Sequence, residues 1–457
     1  MFSSGVSRLK EGFGFLMIEA IRNALTLPDL RRKIIFTILV LVAYRAAAHV
    51  PVPGVDGAAL ERFLASGEQG STIVQFLNLL SGGALARFSV MAMGVYPYIT
   101  ASIIIQLLTP LVPQLQELSK EGEQGRNKLN LYTHWLSVPL AMLQAYGQVV
   151  FIQNSVPGVI NNFGFGVNPL ATIATLITMT AGTMVAVWLG ELITEQGIGN
   201  GVSIIIFGGI AAQIPSQIGN FISRQEWFNL IVFAVITVLT IAVIVFVQEG
   251  QRRIPVQYGK RVRGTKVYGG QSTHIPLKVN SAGMIPLIFA QSIMIFPSAV
   301  AGYFQFSANQ FVSSTANFVV EYFSPNPTSY PYWILYFVMV VGFTYFYTDV
   351  IFKQQNLSEN LQRQGGFIPG LRPGKRTEVY LNTVLQRITL VGALLLGGVA
   401  VLPWLVNIIP GVNQSSSQTQ ALLITSTGLL IVVGVVLDTM KQLQAQLLMR
   451  HYEGFIS

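Results

Sequence analysis

The chain has 457 residues, half of them apolar and only a tenth charged, with a formal net charge of +9 and a mean hydropathy of +0.54. Soluble domains carry nearer a quarter charged residues, so the main solvent of this chain is lipid and no large soluble domain fits beside its apolar segments. Cysteine is absent, which excludes disulfides, thiolate nucleophiles, cysteine-held metals and lipidated cysteines.

Residues 1–32 open the chain with Lys10, Glu11, Glu19 and Arg22 in a weak amphipathic pattern. They lack the apolar core and small-residue cleavage site of a signal peptide, so the first span is expected to insert uncleaved. A spanning helix needs about 20 mostly apolar residues. Windows of that kind fall at 33–51, 88–110, 130–153, 169–190, 202–220, 228–248, 282–305, 331–352, 386–408 and 420–440, which predicts an all-α polytopic protein of about ten helices. Between the first two windows, Ile73 to Leu80 is apolar but too short to span, and Ser81-Gly82-Gly83 breaks it. It reads as a re-entrant segment, and irregular backbone at membrane depth is tolerated only where protein covers it or an aqueous cavity opens beside it.

All but four of the 28 basic residues fall on alternate connections; the exceptions are Arg45, Arg62, Arg87 and Arg224. By the positive-inside rule both termini are then cytoplasmic. Two cytoplasmic loops stand out. Residues 249–281 carry Arg252, Arg253, Lys260, Arg261, Arg263, Lys266 and Lys278, and residues 352–382 carry Arg372, Lys375 and Arg376 among others. Enforcing topology explains any one of these charges, but their concentration points to a large or acidic partner docking inside.

Several motifs fail on inspection. Gly370-Leu371-Arg372-Pro373-Gly374-Lys375 has one residue too few between its glycines for a phosphate loop, and Arg376 stands where Ser or Thr would hold magnesium. Gly197-Ile198-Gly199-Asn200-Gly201 lacks dinucleotide-binding spacing. His49, His134, His274 and His451 are scattered and lack metal-ligand spacing. Glu191, Glu195, Asp349 and Asp438 lie at predicted cytoplasmic ends rather than at the midplane, where ion-coupled transporters keep their acids. No cofactor and no metal is expected. Thr100, Ser102 and Gln106 give the second span an uncharged polar character, which helix packing alone explains for the hydroxyls but less well for Gln106. A small-solute transporter, which midplane charges or broken half-helices would favour, and a structural scaffold, which would not require a re-entrant segment, are the alternative readings.

Six runs carry a resemblance. They are Pro51-Val52-Pro53-Gly54, Ser81-Gly82-Gly83-Ala84-Leu85, Tyr98 to Leu108, Gly197 to Gly201, Gln271 to Asn280 and Phe367 to Gly374. In their order and spacing the chain resembles the SecY family, the channel subunits of bacterial protein translocases, over nearly its whole length. The resemblance implies two five-helix inverted-repeat halves around a pore, at 33–220 and 221–440, with a cytoplasmic tail at 441–457. It places a pore ring on Val95, Ile99, Val202, Ile206, Ile288 and Ile431. A plug falls at 73–87, including Ile73, Phe76, Leu79, Leu80, Gly82 and Gly83, and a lateral gate includes Thr100 and Gln106.

All six ring positions are β-branched, and such stiff side chains can form a collar that excludes water, although Val and Ile are common in any span. Arg372, Lys375, Arg376, Arg252, Arg253, Lys260, Arg261, Arg263 and Lys266 would serve partner docking. Thr265-Lys266 departs from the paired arginines often found there, and Lys lacks the planar fork of Arg. The implied partners are the membrane subunits SecE and SecG, the motor ATPase SecA, the ribosome, signal sequences, nascent polypeptides and the lipid bilayer. The chain itself would be no enzyme. The implied location is the bacterial plasma membrane, with the thylakoid as the alternative.

Overall fold

A computed structural model describes residues 27–55, 78, 81–155, 159, 163–223, 225, 227–258, 261–263, 266–268, 272–283, 285–305, 309–323, 330–355, 357–371, 374–407 and 416–453. In chain order the helices are α1 (Pro28–Ala47), α2 (Tyr96–Leu108), α3 (Pro113–Lys120), α4 (Glu123–Ser155), α5 (Pro169–Gln196), α6 (Gly201–Ala211), α7 (Ile214–Ser223) and α8 (Trp227–Glu249). They continue with α9 (Ile285–Phe304), α10 (Gln310–Phe323), α11 (Tyr330–Gln355), α12 (Leu357–Arg363), α13 (Lys375–Asn407) and α14 (Ser416–Glu453). The strands are β1 (Gln251–Tyr258), β2 (Arg261–Arg263), β3 (Lys266–Tyr268), β4 (Ser272–Lys278) and β5 (Gly366–Phe367).

The chain forms two compact units, one of residues 1–99, 136–220 and 431–457, the other of 100–135 and 221–430. Their boundaries fall within α2, α4, α7 and α14. Among the described residues, five helices are long and apolar enough to cross a membrane, or six if the pair α2–α3, bent by 100°, is one broken span. That measure falls short of the ten sequence windows for visible reasons. The first two turns of α1 carry Asp29, Arg31, Arg32 and Lys33, and α6 is only 11 residues long.

In the first unit α1 and α6 both pack on α5. Asn168 caps α5 by accepting from the Ala171 amide at 3.2 Å, and Pro169 follows at the first helical position, where its missing N–H costs nothing. The hydroxyls of Thr175, Thr178, Thr180 and Thr183 return to carbonyls one turn back. The helix thereby satisfies its own polar groups without a partner. Where α5 ends, the chain reverses so sharply that a Cβ on Gly201 would lie 1.8 Å from the Gly190 carbonyl oxygen, which only glycine allows. Asn200 then caps α6 by accepting from the Ser203 amide. Ile198 in this reversal is buried with Leu30, Met440 and Leu443, and its amide donates to Thr37 Oγ1 of α1 at 3.3 Å.

In the second unit α11 packs on α9 and α13, and α8 on α13. The most apolar span, on α8, stays largely uncovered, with Ile231, Val235, Val238, Leu239 and Phe246 exposed. Such a surface would aggregate in water and is at rest in lipid.

At one end of this unit the two basic loops join, which the sequence reading did not anticipate. The strand β1 pairs antiparallel with β4 (Arg252 opposite Leu277, Arg253 opposite Pro276), and its other edge takes β5 from the second loop (Gln257 opposite Phe367). Beneath the sheet Ile254, Val256, Leu277, Leu361, Ile368, Leu381 and Val384 form one apolar core. The loops are thus one small domain rather than two tethers. Leu381→Ala, at a position with no exposure, should cost about 2 to 5 kcal/mol of this domain's local stability. Hydrogen exchange should speed up in 251–258 and 366–371 together; faster exchange in one loop alone would contradict a shared core.

Candidate functional site

The span expected to begin at 88 begins as a helix only at Tyr96. Before it, residues 81–95 form a chain of turns around a 3-10 turn at Leu85–Arg87. This stretch is tied to the end of α1: the Val52 amide donates to the Phe88 carbonyl at 2.9 Å and the Val90 amide to the Val50 carbonyl at 2.9 Å. Leu85 and Phe88 have no exposure and Ser89 is buried. The re-entrant piece expected at Ile73 to Leu80 lies, apart from Asn78, outside the described residues. Of the plug positions, Gly82 and Gly83 lie in the stretch 81–95, both with φ in the left-handed region (69° and 88°). Ile73, Phe76, Leu79 and Leu80 lie outside the described residues.

The end of the segment is held by its carbonyls. Asn78 O accepts from the Gly83 amide at 2.7 Å and from Gln213 Nε2 at 3.1 Å. Ser81 O accepts from Tyr44 Oη at 3.4 Å, and Gly82 O from Arg45 Nη1. Inside the turn, Ser81 Oγ accepts from the Leu85 amide and Asn78 Oδ1 from the Ala86 amide, at 3.1 and 2.7 Å. Gly82 meets Gly209 of α6 backbone to backbone, since a Cβ on Gly82 would lie 2.6 Å from the Gly209 Cα.

Five ring positions belong to the first unit and Ile288 to the second. Val95 and Ile99 are joined by the Ile99 N to Val95 O hydrogen bond of 3.1 Å. Val202 and Ile206, four apart on α6, share a helix face. Val95, Ile206 and Ile431 are buried, while Ile99, Val202 and Ile288 are half-buried. Val202 also packs on α5, its Cγ2 lying 3.1 Å from where a Gly190 Cβ would be. Next to Ile288, Phe289 is buried edge-on against Phe343 and Tyr347 of α11, with ring centroids 6.0 and 5.7 Å apart. That contact turns Ile288, one residue back, toward a different face of α9.

The gate positions Thr100 and Gln106 are half-buried on α2. Gln106 Nε2 donates to Ser102 Oγ of the same helix at 3.1 Å, which leaves Gln106 Oε1 buried and unpartnered.

On the loop domain Arg252 and Arg253 are exposed on β1, and Lys375 and Arg376 are exposed in the first turn of α13. Cations at a helix N-terminus oppose the helix dipole, so local stability does not explain them. Arg261 and Arg263 fall on β2 and Lys266 on β3, paired antiparallel. Lys260 and Arg372 lie outside the described residues. Sequence reasoning missed Tyr44, Arg45 and Gln213. The available signal was Arg45, a lone cation in an apolar span on the side otherwise poor in basic residues.

This fold matches solved membrane channels. A structure described as "The structure of a protein conducting channel" superposes with a TM-score of 0.61 at 17% identity, covering 93% of this chain and 96% of that one. Another, "Sec61 in the Canine ribosome-channel complex from the endoplasmic reticulum", gives 0.59 at 16%, with the same coverage. The chain is a multi-pass membrane protein with the fold of these channels.

The SecY family model matches residues 89–440. The protein translocase subunit SecY of Halalkalibacterium halodurans is 45% identical over 96% of this chain and all of its own length. That of Thermotoga maritima is 43% identical over 96% of this chain and 98% of its own. The chain belongs to the SecY family.

The orphaned Gln106 oxygen makes a prediction. A buried unsatisfied acceptor costs about 1 to 3 kcal/mol, and replacing it with an apolar group of similar shape recovers that. Gln106→Leu should leave the melting temperature in detergent unchanged or raised; a fall of several degrees would reveal a stabilising hydrogen bond.

Proposed function

We propose that this chain is the central subunit of a protein-conducting channel, passing unfolded polypeptides across a membrane and releasing apolar segments sideways into it. The observation that carries the reading is the full-length identity to protein translocase subunits, and the tucked-in segment 81–95 fits it. Ten spans in two halves, 33–220 and 221–440, belong to the same reading, with both termini cytoplasmic in a bacterial plasma membrane. Val95, Ile99, Val202, Ile206, Ile288 and Ile431 form its ring, Thr100 and Gln106 line its lateral gate, and residues 73–87 are its plug. The channel is passive. Energy comes from the ATPase SecA or a translating ribosome docked on the basic loop domain, and SecE and SecG complete the membrane assembly.

The ribosome-bound relative with this fold and the cations placed against the α13 dipole support the docking role. The decisive assay is transport by the purified protein in vesicles. Passage of an unfolded polypeptide supports the channel, and concentration of a small solute without such passage overturns it.

Arg372→Glu should sharply reduce ATPase- or ribosome-coupled transport in an assembled channel. Wild-type transport by the assembled variant would remove Arg372 from the docking surface.

Ile99→Ser with Ile431→Ser separates a collar from an ordinary core. Core positions would lose about 2 to 5 kcal/mol each. Collar positions should instead wet the constriction, giving ion leak at rest with a near-normal melting temperature. A large melting drop without leak would defeat the ring assignment.

A further inference from the structure

Arg45 is a charge on a spanning helix, on the side where basic residues are otherwise scarce, and both features are costly or disfavoured. It stands in the last turn of α1, where the helix dipole favours a cation. Its guanidinium, however, leaves its own helix and donates to the Gly82 carbonyl. On one side of it Tyr44 Oη donates to Ser81 O, and from the turn between α6 and α7 Gln213 Nε2 donates to Asn78 O. Three carbonyls within five residues therefore accept from side chains that all lie outside the segment. Nothing in local turn geometry requires this, because the segment already closes its own bonds from Gly83 N, Leu85 N and Ala86 N. Beside the three donors, Gly82 and Gly209 remove the side chains that would hold the two backbones apart.

The geometry points to a clamp in which Tyr44, Arg45 and Gln213, with the Gly82–Gly209 contact, hold residues 78–82, the middle of the plug segment, on the first unit and so set how readily the closed channel opens. This rests on the plug reading proposed above. Arg45 is its strongest member, because a hydrogen bond from a charged donor exceeds a neutral one. It is a positioning residue: it acts through the segment it holds and touches no transported chain. Backbone carbonyls as the acceptors give the clamp a further property. The three donors read no side chain of the segment, so the sequence constraint of the hold falls on Gly82, where a Cβ would lie 2.6 Å from the Gly209 Cα.

The test is resting ion conductance of the full chain in planar bilayers, read beside melting temperature. Arg45→Met, similar in length and uncharged, should raise resting leak about tenfold, the change expected from losing one charge-assisted hydrogen bond. Arg45→Lys, which keeps one donor, should recover most of the seal. In a background lacking residues 73–77, Arg45→Met should add less than about twofold to the leak already present, because residues acting through one element are not additive. Full additivity would show that Arg45 acts elsewhere and would overturn the clamp, as would an assembled Arg45→Met channel as tight as wild type. If Arg45→Met fails to assemble, Gly209→Ala decides. Its Cβ would lie 2.9 Å from the Gly82 Cα, so an assembled variant with no added leak overturns the proposal. A 73–77 deletion that does not leak refutes the plug reading itself; a leaking deletion beside a tight Arg45→Met refutes only the clamp.

Discussion

Everything in this structure answers to one constraint: a backbone amide or carbonyl in hydrocarbon has no water to bond and must find its partner within the protein. Helices meet it automatically, and the places where helices break show how it is met otherwise. Between 88 and 95 the Ala92 amide turns back to Ser89 O and the Gly94 amide to Met91 O, at 2.8 and 2.9 Å. At the α2–α3 bend the amides of Leu111 and Val112 both reach Leu108 O. Between α6 and α7 the Gln213 amide donates to Ile210 O at 3.0 Å. Each break is sealed by a local turn, which lets the chain depart from helix without exposing a bare polar group. At residues 78–82 local turns leave carbonyl capacity over, and side chains of Tyr44, Arg45 and Gln213 take it up.

Charge is handled by the same rule in reverse. The described cations gather where water reaches, above all on the sheet β4–β1–β5 and the first turn of α13, while the hydroxyls of α5 are folded back onto their own helix. Arg45 is the exception that a backbone acceptor accommodates. A carbonyl adds no opposite charge, so it holds the arginine without creating a buried ion pair, whose desolvation would offset much of its attraction.

The family, the membrane class and several spans were legible because lipid imposes a length and a composition on any segment that crosses it. The windows at 169–190, 228–248 and 331–352 coincide closely with α5, α8 and α11. The window at 88–110 placed a helix start eight residues early, since Phe88 to Val95 are as apolar as a span yet are held in turns by Val50, Ser89 and Met91. The windows opening at 130 and 386 began late, because α4 and α13 begin with polar turns that hydropathy does not register. The window at 202–220 hid the break between α6 and α7, although Pro215 in the first turn of α7 marks it.

By itself, then, the sequence determined that the chain is a membrane protein, which connections carry the charge, and the family to which the chain belongs. All of these follow from local composition and from ordered motifs along one dimension. Only the tertiary structure decided that the two basic loops share one sheet and core, and that Arg45 answers to Gly82 rather than to its own helix. It alone also revealed that Gln106 Oε1 is left without a partner. The physical reason is that these are pairings between residues distant in the chain. Their energies depend on which groups approach and in what direction, and a hydrogen bond, unlike apolar burial, has no average along the sequence from which it can be read.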